Sequence, residues 1–153
     1  MADPLSLAAT IISTAAAVDK VQSLLESRTS EWKLRGPVRN LMVEFDTFRS
    51  SVDQLVHYFV DEDSRIISEK NVEQIRSLIQ VWSMYLGELA NTLQKVPQND
   101  GNAFKITVVR RRVVEEIEAS IVNLSHQNQA LSLLLQTIAL DIARDITGPT
   151  QIR

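Results

Sequence analysis

The side chains that could carry chemistry in this chain are few and scattered. His57 and His126 are its two histidines, and it has no cysteine. A zinc site takes three or four His, Cys or carboxylate ligands, and a side-chain nucleophile needs a base within hydrogen-bond reach. Two histidines in different helical patterns meet neither requirement, and both read as partly exposed residues on helix surfaces. The four glycines are isolated from one another, so no glycine-rich loop is present to cradle a phosphate. Glu115, Glu116 and Glu118 are expected on the outer face of a helix, where they are solvated. Asn128 interrupts an otherwise apolar series, and a buried Asn at such a place sets register or partner choice. The chain therefore reads as non-enzymatic, with no catalytic residues, no cofactor, no cofactor-binding residues and no metal ligands.

Two basic clusters are the remaining candidates. Arg28, Lys33, Arg35 and Arg39 surround one connection, opposed only by Glu31, and Arg110, Arg111 and Arg112 open the last helical pattern. Such clusters attract anionic headgroups at roughly 1 kcal/mol per basic residue. The competing reading is a solvated face with local salt bridges. Trp32 is either an interfacial anchor or a cover over one end of the fold. With a net charge of -3, the chain carries no overall nucleic-acid footprint.

The elements that hold these residues follow from hydrophobic spacing. From Pro4 to Val18 no side chain is charged. Asp3 and Pro4 mark a helix start, because an Asx side chain accepts free N–H groups and proline loses nothing in the first turn. Leu5, Ala8, Ile11, Ile12, Ala15, Val18 and Leu25 form the apolar stripe, and Ser6, Ala9, Thr10, Ser13, Ala16 and Ala17 form a small-residue back. Such a back suits close approach by another helix, in protein or in lipid. At about 1.5 Å per residue the uncharged run is shorter than the roughly 30 Å hydrocarbon core. A secretion signal is disfavoured, since Asp3 sits where a basic segment belongs.

Gly36 and Pro37 predict a second helix, with Val38, Leu41, Phe45, Phe48, Val52, Leu55 and Phe59 stepping by three and four. The acidic run Asp61, Glu62 and Asp63 ends it, and Ser64 or Ser68 caps the next. The third helix has the cleanest seam, through Val72, Ile75, Ile79, Trp82, Leu86, Leu89 and Leu93, and stops at Pro97 before the loop Gln98 to Asn102. A fourth seam runs from Val109 through Val113, Ile117, Ile121, Leu124, Asn128, Leu131, Leu135 and Ile138 to Ile142. Phe104 to Val109 alternates like a short strand, but no partner strand precedes it, so it reads as the first turn of helix four.

With 153 residues, 44% of them hydrophobic, the chain suffices for one domain with its own core. Its few glycines and prolines argue against disorder and against an all-β fold. The expected fold class is all-α, a bundle of four to five mostly antiparallel amphipathic helices. The bundle is expected over residues 1–147, closed by Thr147, Gly148 and Pro149, with 148–153 as a tail or the start of a linker. The lack of cysteine fits a reducing, cytoplasmic compartment.

The opening Met1, Ala2, Asp3, Pro4, Leu5, Ser6, Leu7, Ala8, Ala9 resembles the start of the HeLo-like N-terminal domains of fungal STAND proteins, the NLR-like receptors. The likeness extends in pattern over most of the chain. The architecture is also similar to the four-helix executioner bundle of the mixed-lineage kinase-domain-like pseudokinase of animal necroptosis. The resemblance implies an effector of regulated cell death and nonself recognition that self-associates, with an N-terminal helix that targets anionic membrane. Carried onto this chain, the membrane- or partner-binding residues would be Leu5, Leu7, Ile11, Ile12 and Val18. Relocation from cytoplasm to plasma membrane would accompany activation. The alternative is an adaptor domain of an NLR-like receptor that binds a helical partner and never touches lipid.

Overall fold

The computed structural model describes residues 4–32, 34–60, 67–96 and 103–151, with side chains described for 6–30, 32, 34–59, 67–96 and 106–144. Four helices pack together: α1 (Pro4–Thr29), α2 (Arg35–Val60), α3 (Glu69–Gln94) and α4 (Ala103–Gln151), with a 3₁₀ turn at Ser30–Trp32 between the first two. The expected Asp3 cap, the run Asp61–Asp63 with Ser64, and Pro97 with the loop to Asn102 lie outside the described residues.

Local chemistry explains most helix ends. In α1 the hydroxyls of Thr10, Thr14 and Thr29 donate to the carbonyls of Ser6, Thr10 and Leu25 at 3.0, 2.9 and 2.6 Å. This back-bonding satisfies Thr14 and Thr29, which are buried among apolar neighbours. Helix α2 starts at Arg35, two residues before Pro37, and the Val38 amide donates to Leu34 at 3.1 Å. Pro37 is tolerated because the first-turn amides have no helical partner in any case. Ser68 caps α3, its side chain accepting from the Asn71 amide at 3.2 Å. Helix α4 begins at Ala103, so Phe104 to Val109 is helical, and Arg110 to Arg112 lie two turns inside the helix rather than at its start. It also runs on to Gln151, past the stop expected at Thr147. Pro149 lies two residues before that end, so the N–H it lacks belongs to the last turn.

The packed interfaces join α1 to α2 and α3, and α4 to the same two helices. The predicted seams become the core. Every seam residue of α3 is buried, as are Leu41, Phe45, Phe48, Val52, Leu55 and Phe59 of α2. Fully buried Trp82 stacks on Phe48 with ring centroids 3.9 Å apart and meets Phe45 at 6.5 Å. Each such buried large side chain contributes about 1.5–3 kcal/mol of transfer free energy.

Candidate functional site

The uncharged first helix is pressed into the bundle by its apolar side. Leu7, Ile11 and Val18 are 1%, 0% and 0% exposed, whereas Ile12 stands 53% exposed. One residue of offset turns a helical side chain by about 100°, which separates the two isoleucines. The side chain of Leu5 lies outside the described residues. Outward-facing Ser6, Ala9, Thr10, Ser13 and Ala16 make a small, uncharged surface around Ile12.

The polar ties between α1 and the other helices lie, among the described residues, in its second half. Arg49 of α2 grips Asp19 through Nε at 3.0 Å and Nη2 at 2.8 Å, donates also to Gln22, and binds Asp46 on its own helix at 2.9 Å. Arg28 donates from Nη1 to the Val96 carbonyl at 3.0 Å, just beyond the end of α3. Cations favour that end of a helix, where carbonyls lack partners. Before Asp19, the described contacts that hold α1 to its neighbours are apolar, centred on Leu7, Ala8, Ile11 and Val18.

The structure joins the two basic clusters that are far apart in sequence. Arg110 Nη2 of α4 donates to the Trp32 carbonyl at 3.0 Å, placing α4's arginines beside the connection that leads into α2. Arg35, Arg39, Arg111 and Arg112 are exposed, and Lys33 lies outside the described residues. Arg28 is half-buried, and its Nε is buried without a partner, so it is drawn away from this surface toward α3. Trp32 is half-buried and packs against the core, the covering role rather than that of a projecting anchor.

The remaining candidates settle into structural places. His57 and His126 are exposed on α2 and α4, and Glu115 and Glu118 are exposed on α4 with Glu116 half-buried. Among the described residues no three His, Cys, Asp or Glu side chains cluster to hold a metal, and no helix is long and apolar enough to cross a membrane. Asn128 is buried and donates from Nδ2 to the Glu44 carbonyl at 3.0 Å.

Spacing alone did not single out Arg49. Its signal was available, since Asp19 is the first charge after the uncharged run, and a carboxylate at the margin of a buried helix face calls for a cation. Comparison with protein-family models, with curated proteins and with solved structures finds no match for this chain.

Proposed function

We propose that this chain is a non-enzymatic effector domain of regulated cell death, similar to the HeLo-like domains, whose first helix targets anionic membrane after self-association. The observation that carries this reading is the division of α1. Its first half is uncharged on the outside and held in the bundle by apolar contacts, while its polar ties to the other helices begin at Asp19. A segment held this way can leave without breaking a buried hydrogen bond to another helix, and lipid offers its apolar side an equivalent environment. The arginines at the Trp32 end supply attraction to anionic headgroups. The domain would be cytoplasmic at rest and move to the plasma membrane on activation.

In this reading the bundle consists of amphipathic helices, consecutive ones antiparallel. Two contacts support that direction for α3 and α4: Asn71 donates to Asp141 at 3.3 Å, while Leu78 shares a groove with Ala130. Trp32 with Arg110 and Glu44 with Asn128 instead advance together, so the neighbours α2 and α4 run the same way.

The complete burial of Ile11 favours a second reading, in which α1 is permanent core and the domain is an adaptor for a helical partner in an NLR-like receptor. Dye release from vesicles with and without anionic lipid decides between them. Under the first reading the folded chain releases dye from anionic vesicles, and Ile12→Asp abolishes release at unchanged helicity. Absence of release from the folded chain supports the adaptor.

A further inference from the structure

The outer face of α4 carries the longer of two uncharged surfaces on the bundle, the other being the first half of α1. From Ala119 to Leu140 the helix carries no Asp, Glu, Lys or Arg, in a chain where 23% of residues are charged. Burial of the inner seam accounts for half of that run and leaves the outer half unexplained. Val122, Leu133 and Leu140 are 55%, 63% and 59% exposed, and they are three of the seven large apolar side chains that stand out from the described surface. At about 100° per residue they fall on one stripe with Ala119, His126, Ala130 and Thr137, all exposed. Beside the stripe, α3 and α4 enclose an open groove of about 630 Å³ whose walls include Leu78, Leu133 and Leu134.

We infer that this stripe is the seam through which two copies of the chain pair, α4 against α4 in antiparallel register about a two-fold axis near Gln129 and Ala130. Symmetry of charge favours a second copy as the occupant. A two-fold interface sets each surface against itself, so a charged stripe meets its own charges, and a neutral one does not. Bounding the neutral stripe on the same face are exposed Glu115 on one side and exposed Arg144 on the other. An antiparallel pairing centred on the stripe's midpoint brings Glu115 of each copy against Arg144 of the other. The same register sets Ala119 opposite Leu140, a small side chain against a large one as interdigitating helices allow, and Val122 opposite Thr137, of like size. His126 then lies opposite Leu133 at the edge of the groove.

This inference deepens the self-association within the proposed function and needs no lipid, so measurement in buffer tests it apart from membrane action. Sedimentation velocity of the full chain over a wide concentration range is expected to show a monomer–dimer equilibrium. Ala130→Glu, on a side chain already exposed, is expected to weaken it about tenfold or more with helicity unchanged, since each added carboxylate meets its own copy beside the two-fold axis. Glu115→Arg is expected to weaken pairing, and Glu115→Arg with Arg144→Glu to restore it. The absence of native cysteine makes a second readout clean. Ala130→Cys is expected to form a disulfide-linked dimer on mild oxidation. Ala119→Cys is expected not to, because the same residue of the partner is then about 30 Å away. A chain that stays monomeric throughout overturns the inference, as does a dimer indifferent to Ala130→Glu. Cross-linking of Ala119→Cys as efficient as that of Ala130→Cys would mean parallel pairing and overturns it too. Binding of anionic vesicles that is lost with Leu133→Glu, by a chain monomeric in buffer, would assign the stripe to lipid instead.

Discussion

Asn128 of α4 reaches across the core to Glu44 of α2, donating from Nδ2 to its backbone carbonyl at 3.0 Å and approaching its Oε2 at 3.4 Å, while its own Oδ1 is buried without a partner. The half-satisfied amide breaks the apolar seam between Leu124 and Leu131. One good bond ties α2 to α4 at a single level, and the orphaned oxygen carries a desolvation cost of about 1–3 kcal/mol. This is the pattern of a polar residue retained for register at the expense of stability.

Asn128→Leu is therefore expected to raise stability by about 1 kcal/mol, because it removes the orphan with the same number and branching of side-chain heavy atoms and the Glu44 carbonyl retains its place within α2. Asn128→Ala is expected to lower stability, since it leaves a void in the same place. Urea unfolding followed by circular dichroism checks both, and a Leu variant less stable than wild type would assign the amide a net favourable role.

Arg49 links α1 to α2 from a side chain 30% exposed, against an Asp19 carboxylate that is 69% exposed. Solvent screening limits such a pair to about 1 kcal/mol or less. Arg49→Ala is expected to leave global unfolding nearly unchanged and to speed amide hydrogen exchange along α1 selectively, because the polar tie from Asp19 and Gln22 to α2 is gone. Exchange that rises equally in all four helices would show that α1 does not open on its own.

Trp82 is fully buried, with Phe48 stacked on one face and its Nε1 buried without a partner. Trp82→Ala is expected to cost about 3–5 kcal/mol, a large share of the roughly 5–15 kcal/mol that holds a domain folded. Trp82→Phe removes the unpaired N–H along with some volume, so its cost is expected to be well below that of Ala. Denaturant midpoints of the two variants check the order.

Adjacent Ile11 and Ile12 separate packing from surface. Ile11→Asp places a charge at a position that is 0% exposed and is expected to unfold the domain or expel the first half of α1. Ile12→Asp, at 53% exposed, is expected to shift stability by no more than about 0.5 kcal/mol. Thermal melts compare the two, and an equal loss for both would mean that Ile12 contacts more than the monomer.

The seams were legible because helical periodicity is local. Val72 to Leu93 steps by three and four, and every member is buried, because 3.6 residues per turn puts them on one side whatever that side meets. Ser68 was one of two capping candidates, and the choice between them needed the backbone around it. Leu7 and Val21 are as buried as the stripe residues named from spacing, since α1 packs against two helices, and that widens its inner face beyond a single seam.

The candidate surface was legible only in parts. The two arginine clusters were visible as composition, and their union through Arg110 and the Trp32 carbonyl joins residues distant in sequence. The withdrawal of Arg28 to the Val96 carbonyl likewise depends on where the end of α3 comes to rest.

By itself the amino-acid sequence determined that the chain is helical, where most helices begin, which side of each turns inward, and that the run before Asp19 is uncharged. These are properties of a residue and its neighbours within a turn or two. Only the tertiary structure decided that α1 and α4 each lie against α2 and α3, that Glu44 faces Asn128, and that Ile12 is left outside while Ile11 is sealed in. The apolar seams of the helices are chemically alike, so their pairing is set by how whole surfaces interlock and by a few polar contacts, and that information is spread over the entire chain.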